Sequence, residues 1–235
     1  MDRQNWVVDG KRGKNDIQLR DKYIESGKIP FDLAISMGLK SIATDPWLMV
    51  LQHMPGLLGF KLRQIFYKKR LGKMGKGAII DPDVEISHPR NVYLDEFSYL
   101  ARRTQIYCPE GYVRIGKRCH IGGWILGHGG VDIGHCVASG GTILSVTDSH
   151  QGGYRMSGPM IPRQQRNLRY GKVVIEDDAF IGQQSIIMPG VHIGEGAVIA
   201  PFSLVLRNVP AWTVVYGNPA IKLGMRDKVK FPVPH

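Results

Sequence analysis

The chain has 235 residues, 43% of them hydrophobic and 22% charged, which excludes an intrinsically disordered polymer and leaves length for a full core. No apolar run reaches the roughly 18 residues of a membrane-crossing helix, and the polar N-terminus MDRQNWVVDGKRGKND lacks the apolar centre of a secretion signal. The net charge of +11 is concentrated in residues 1–75 and 151–172 without any zinc-finger, RNP or recognition-helix pattern, so no nucleic acid is expected as a partner.

Residues 1–75 read as a partly helical extension. Asp45 and Pro46 have the chemistry of a helix start, as N-cap and first-turn proline. An apolar stretch from Trp47 to Gly59 is interrupted by Pro55, and Phe60 to Arg70 follows as an amphipathic, basic helical segment. It reads first as a cap on the open end of a repeat fold, and second as an interfacial segment lying on anionic lipid, peripheral to the inner membrane.

From residue 76 a six-residue period takes over. Its early, weaker set is Ile80, Ile86, Leu94, Leu100 and Ile106, with Val84, Ser98 and Thr104 in a small-residue slot. Ile115, Ile121, Gly127, Ile133, Ser139 and Ser145 continue it, with Cys119, Ile125, Val137 and Ile143 four places after an aliphatic position. Ile175, Ile181, Ile187, Ile193, Ile199 and Val205 complete it without a slip, followed four places on by Ala179, Ser185, Val191, Ala197, Ser203 and Val209. Six fits neither a helix nor plain strand alternation. It fits a short strand plus a turn, stacked so that each aliphatic residue lies over its counterpart in the next layer. The period breaks once, over residues 151–172, immediately after Leu144-Ser145-Val146-Thr147-Asp148-Ser149-His150. The three cysteines, Cys108, Cys119 and Cys136, lack CxxC spacing and read as reduced thiols of a cytoplasmic protein.

The segment IEDDAFIGQQSIIMPGVHIGEGAVIAPFSLVLRNVP, followed by AWTVVYGNPAIKLG, resembles the hexapeptide-repeat acyltransferases, and the likeness spans about residues 78–224. The resemblance implies a mainly β protein: a left-handed parallel β-helix over 76–212, with the helical extension before it, one extruded loop and an exit segment over 213–235. It also implies a homotrimer with active sites in clefts between subunits, and acetyl-CoA as co-substrate without a metal. Acyl transfer to an alcohol needs a base that works near neutral pH, which suits imidazole. His150 stands where the chain leaves the repeat, in a segment resembling the family's catalytic-histidine stretch. Asp148 or a backbone carbonyl would fix its tautomer, and N–H groups near Gly140-Gly141 would hold the oxyanion. Asp148, His128 and Tyr154 are the acceptor-side candidates; His128 falls roughly where the family places an acidic acceptor contact. For acetyl-CoA the family's positions map onto Gly182, Gln183, Ala200, Pro201 and Asn218. Lys222 or a loop arginine, Arg155, Arg163, Arg166 or Arg169, would meet its phosphates. His120, His135 and His192 read as structural.

The first functional expectation is acetyl transfer from acetyl-CoA to a hydroxyl of a sugar or glycan in bacterial surface polysaccharide synthesis. An N-acetyltransferase acting on an amino sugar or sugar nucleotide is the alternative. A β-helix carbonic anhydrase would need an HxxxxH pair on zinc, which is missing from the sequence. A non-catalytic assembly subunit has the extruded basic loop against it.

Overall fold

The computed structural model of the protein describes residues 49–157, 161 and 165–230. The expected helix start at Asp45-Pro46, and Arg163, lie outside them. Short strands stack into three parallel ladders, one for each face of a prism, through about seven turns of a β-solenoid. The first face carries the rungs at Lys73–Met74, Val92–Leu94, Val113–Ile115, Val131–Ile133, Val173–Ile175 and His192–Ile193. The second runs from Ile79–Ile80 to Thr213–Tyr216, where the antiparallel strand Ile221–Met225 closes it. The third comprises Glu85–Ser87, Gln105–Tyr107, Trp124–Leu126, Thr142–Leu144, Ile186–Ile187 and Leu204–Val205.

The repeat creates this shape because a rung has one inward side chain and cannot bury it alone. Ile175, Ile181, Ile187, Ile193, Ile199 and Val205 are all buried, and each such burial is worth about 1.5–3 kcal/mol. The residue just before a small slot commonly turns the corner in the left-handed region: Asp83, Phe97, Arg103, Arg118, Cys136, Asp178, Gln184, Phe202 and Trp212 have φ between 56° and 63°, whereas Val209, expected in such a slot, instead bridges to Ile193 of the first face. The small slot then fits inside the corner, where a hydroxyl can satisfy a turn carbonyl. Thr104 Oγ1 donates to Ala101 O at 2.6 Å and Ser185 Oγ to Gly182 O at 2.7 Å.

The structure corrects the phase in the middle of the chain. Gly127 and Ser145 are not interior rung positions; Ile125 and Ile143 are, paired with Ile106 and Ile187 in the third ladder. In these two coils Gly122-Gly123 and Gly140-Gly141 replace the usual corner, so the second face passes into the third two residues early. The third coil regains the two residues at its next corner, so Ile115 and Ile133 still align.

That next corner, between third and first faces, is lengthened throughout the first four coils. Ile86 is followed on the interior by Leu94, Ile106 by Ile115 and Ile125 by Ile133, whereas the later step from Ile187 to Ile193 is a plain hexad. In the fourth coil it becomes the extruded segment, which starts earlier than residue 151: Val146–Asp148 pairs antiparallel with Leu168–Tyr170.

The solenoid's open end is capped by the helix Gly56–Lys68. Arg63 is buried and rivets it in place, Nε donating to Ile80 O of the first coil and Nη1 to Leu51 O and Met54 O. Tyr67 packs beside it, burial pushing its phenol up to about 12. Leu57, Leu58 and Ile65 stay exposed on the helix's outer side. No helix among the described residues is long and apolar enough to cross a membrane.

Candidate active site

The extruded hairpin leaves from Ser145, whose hydroxyl bonds twice to the preceding coil. Ser145 Oγ accepts from Gly129 N at 2.8 Å and donates to Leu126 O, while its carbonyl accepts from Gly171 N at 2.9 Å. The root is therefore fixed to the coil that carries His128. Beyond it, Ser149 N donates to Asn167 O at 2.7 Å, and the next residue, His150, is exposed. The hairpin is tied again beyond it by Arg155 N to Gln165 O at 2.8 Å, so His150 lies between two backbone ties with its imidazole open to substrate, the access a general base needs. Tyr154, half exposed, lies in the turn beyond.

Asp148 does not orient His150. Its carboxylate accepts from Ser157 Oγ at 2.7 Å and Ser157 N at 3.3 Å, so it closes the hairpin's return path instead. The expected oxyanion donor at Gly140 is also engaged, its N–H donating to Ile181 O in the ladder at 2.9 Å.

The residues expected to meet acetyl-CoA line the corner between second and third faces in the last three coils. Gln183, Pro201 and Asn218 are exposed there and Ala200 half-exposed, in adjacent layers tied by Phe202 N to Gln183 O at 3.0 Å and Leu204 N to Gly217 O at 2.9 Å. Gly182 is a correction: it is buried, and a Cβ there would lie 2.5 Å from Pro201 N, so its smallness serves rung stacking. Lys222 is exposed on the closing strand opposite Val215. Sequence reasoning missed Phe202, 69% exposed in this column; its left-handed corner turns an apolar ring outward, which no six-residue count reveals. This column and the hairpin root border opposite edges of the third face of one chain.

His128 lies in the lengthened corner beside the root. Its ring is tilted against Tyr107 at a centroid distance of 5.2 Å, and its Nδ1 is buried with no hydrogen-bond partner among the described residues. Burial foremost, then the nearby His88, pulls its pKa down to about 4. The unfolded chain therefore takes up a proton below about pH 6.5 that the folded chain refuses until about pH 4, so stability falls across that window as pH drops. After discounting for solvent screening, the loss is about 2 kcal/mol. Urea unfolding at pH 7.5 and 4.5 checks this: His128→Leu should lose about 2 kcal/mol less than the parent, and equal losses would refute it.

His120 and His192 point outward, His192 Nε2 lying 2.7 Å from Glu176 Oε1, and His135 Nδ1 accepts from Lys117 N at 2.9 Å. A groove of about 670 Å³ on the first face is lined by residues that pair among themselves, Lys73 with Asp95 at 3.1 Å and Arg114 with Asp132 at 3.5 Å. The described residues include no cluster of three or more His, Cys, Asp or Glu set to hold a metal. Cys108 and Cys119 are buried and pushed up to about 12, so neither is a thiolate fit to carry an acyl group.

Residues 172–207 match the family model described as bacterial transferase hexapeptide, six repeats. Over 147 residues, 61% of this chain and 73% of the relative, the sequence is 33% identical to the dTDP-4-amino-4,6-dideoxy-D-glucose acyltransferase of Escherichia coli. It is 43% identical over 58 residues, 25% of this chain and 24% of the relative, to a 2,3,4,5-tetrahydropyridine-2,6-dicarboxylate N-acetyltransferase of Staphylococcus aureus. The fold is similar to the N-acyltransferase AntD of Bacillus cereus, solved with dTDP and 3-hydroxybutyryl-CoA. The TM-score is 0.63 at 27% identity, covering 72% of this chain and 90% of AntD.

Proposed function

The chain belongs to the hexapeptide-repeat transferase family, and from that membership we propose that it moves an acyl group, in the first instance acetyl, from acyl-CoA to the amine of a nucleotide-linked amino sugar. It is an acyltransferase; the acceptor and the acylated atom are what the proposal adds. One observation carries it: the 33% identity to the E. coli enzyme extends over 73% of that enzyme, whose name specifies an amino sugar on dTDP. AntD, an N-acyltransferase solved with dTDP and an acyl-CoA, supports the same acceptor class and the same donor. Sequence reading alone had put a hydroxyl first; these relatives weigh toward the amine.

In this reading the amine nitrogen attacks the thioester carbonyl and the C–S bond of the tetrahedral intermediate breaks. His150 takes the amine proton and returns it to the departing thiolate, giving an amide and free CoA. The CoA arm runs along Gln183, Ala200, Pro201, Phe202 and Asn218, with Lys222 or a hairpin arginine at its phosphates. Because this column and His150 border different edges of one chain's third face, a cleft pairing one chain's hairpin with another's column would complete the site, which supports a homotrimer.

Thiol release from acetyl-CoA, followed with dTDP-4-amino-4,6-dideoxyglucose and with dTDP-glucose, tests the acceptor. Release with the amino sugar alone, and a product bearing one acetyl on nitrogen, is expected. Comparable release with dTDP-glucose would restore the hydroxyl reading, and release with neither would count against a sugar-nucleotide acceptor.

A further inference from the structure

The lengthened corner carries side chains that acyl transfer itself leaves unused. On three successive coils His88, Tyr107 and His128 form a file of rings. His88 and Tyr107 have centroids 6.3 Å apart and planes at 79°; Tyr107 and His128 are 5.2 Å apart at 50°. Tyr107 occupies an outward rung position, in register with Ser87 and Leu126, and is 45% exposed although large and aromatic. The local backbone constrains the two flanking histidines, at His88 itself and at Gly127 before His128. His88 turns at a φ of 54° into the 3-10 turn Pro89–Asn91. Gly127 admits no side chain, since a Cβ would lie 2.6 Å from Val113 Cγ2 and 2.8 Å from Cys108 Cβ.

The chemistry of this file selects its ligand. Tyr107 offers a π face, and the neighbouring His128 is a neutral imidazole whose pKa lies near 4. Such surfaces attract a flat, uncharged heterocycle, whereas a phosphate or a bare sugar would find neither charge nor a row of donors. The cations stand further on, on the hairpin, at Arg155, Arg166 and Arg169. Tyr107 is two rungs from Leu144, roughly 10 Å at the spacing of adjacent strands, so the file ends where the catalytic hairpin begins. A ring followed by phosphates and then a sugar has the same order.

We infer that Tyr107, flanked by His88 and His128, is the stacking floor for the base of a nucleotide-linked acceptor. The inference rests on the acyltransferase reading and names the part of the acceptor that this chain grips and the residues that do so.

Calorimetric titration of the full chain with dTDP, with glucose 1-phosphate and with CoA tests it on the parent, Tyr107→Ala and Tyr107→Phe. The parent should bind dTDP, Tyr107→Ala should weaken it roughly tenfold or more, and Tyr107→Phe should restore most of it. CoA affinity should be unchanged in all three, which also shows that the variants are folded. Glucose 1-phosphate, lacking the base, should be insensitive to Tyr107. Tyr107→Leu keeps apolar bulk without a π face and carries the same test if the alanine variant misfolds. Equal dTDP affinity in parent and Tyr107→Ala, or no dTDP binding by a parent that binds CoA, would overturn the stacking floor and leave the acyltransferase reading standing. Tyr107-dependent dTDP binding without any CoA binding would instead support the nucleotide site and sink the acyltransferase reading.

Discussion

Replacing His150 by alanine is expected to lower kcat by about two to four orders of magnitude while leaving CoA affinity and thermal stability where they were. The structure separates these outcomes because His150 is exposed and the hairpin is braced by other groups. Ser149 N to Asn167 O, the Asp148–Ser157 pair and the strand pairing of Val146–Asp148 with Leu168–Tyr170 all survive the substitution. What is lost is the acceptor for a proton that moves only as the transition state forms, so kcat and kcat/KM should fall together. Steady-state rates with acetyl-CoA and the amino sugar nucleotide provide the measurement. A His150→Ala enzyme within tenfold of the parent would remove the base from the mechanism. A matched His128→Ala variant separates the two imidazoles, since a group that only lines the acceptor should raise KM more than it lowers kcat.

The parts of this molecule that a linear reading captures are those where spacing and structure share one rule. From Ile175 to Val205 every sixth residue faces the interior, because each corner there has its standard length and each rung its standard register. Over Ile115 to Ser145 the same count runs out of step. Gly122-Gly123 and Gly140-Gly141 shorten one corner, and the third coil repays it at the next, so Gly127 and Ser145 stand where the period wants an aliphatic while Ile125 and Ile143 do the packing. A period that closes over a whole coil conceals a two-residue shift within it. The break in the repeat is what singles out His150 in the sequence, and the structure places it exposed on the hairpin that fills the break. Tyr107 is not singled out, since an outward aromatic on a regular rung leaves no mark on the six-residue pattern, and its neighbours His88 and His128 join it only when three coils are stacked. Of the two partners that the sequence leaves open for His150, Asp148 or a backbone carbonyl, the carboxylate is engaged by Ser157, which the hairpin brings back to it.

The shortened corners yield the second large prediction, because they bring backbone against backbone. Gly123 has φ of +87°, and a Cβ built on it would lie 2.1 Å from Gly141 O and 3.0 Å from Gly141 C. A side chain there meets a carbonyl belonging to the next rung, which cannot swing aside without stretching the ladder that joins Gln105 to Gly123 O at 3.0 Å and Thr142 to Ser185 O at 2.8 Å. Gly123→Ala should therefore cost roughly 3–5 kcal/mol, the left-handed backbone supplying about 1–2 and forced separation of the rungs the rest. Gly190 separates the two contributions. Its φ is +83°, yet nothing lies within 4 Å of the corresponding Cβ, so Gly190→Ala bears the backbone strain alone and should cost about 1–2 kcal/mol. Urea denaturation of the two variants side by side tests the point. If Gly123→Ala proves no less stable than Gly190→Ala, the rungs at the shortened corners are not in close backbone contact, and the register that places Ile125 over Ile106 and beneath Ile143 is wrong.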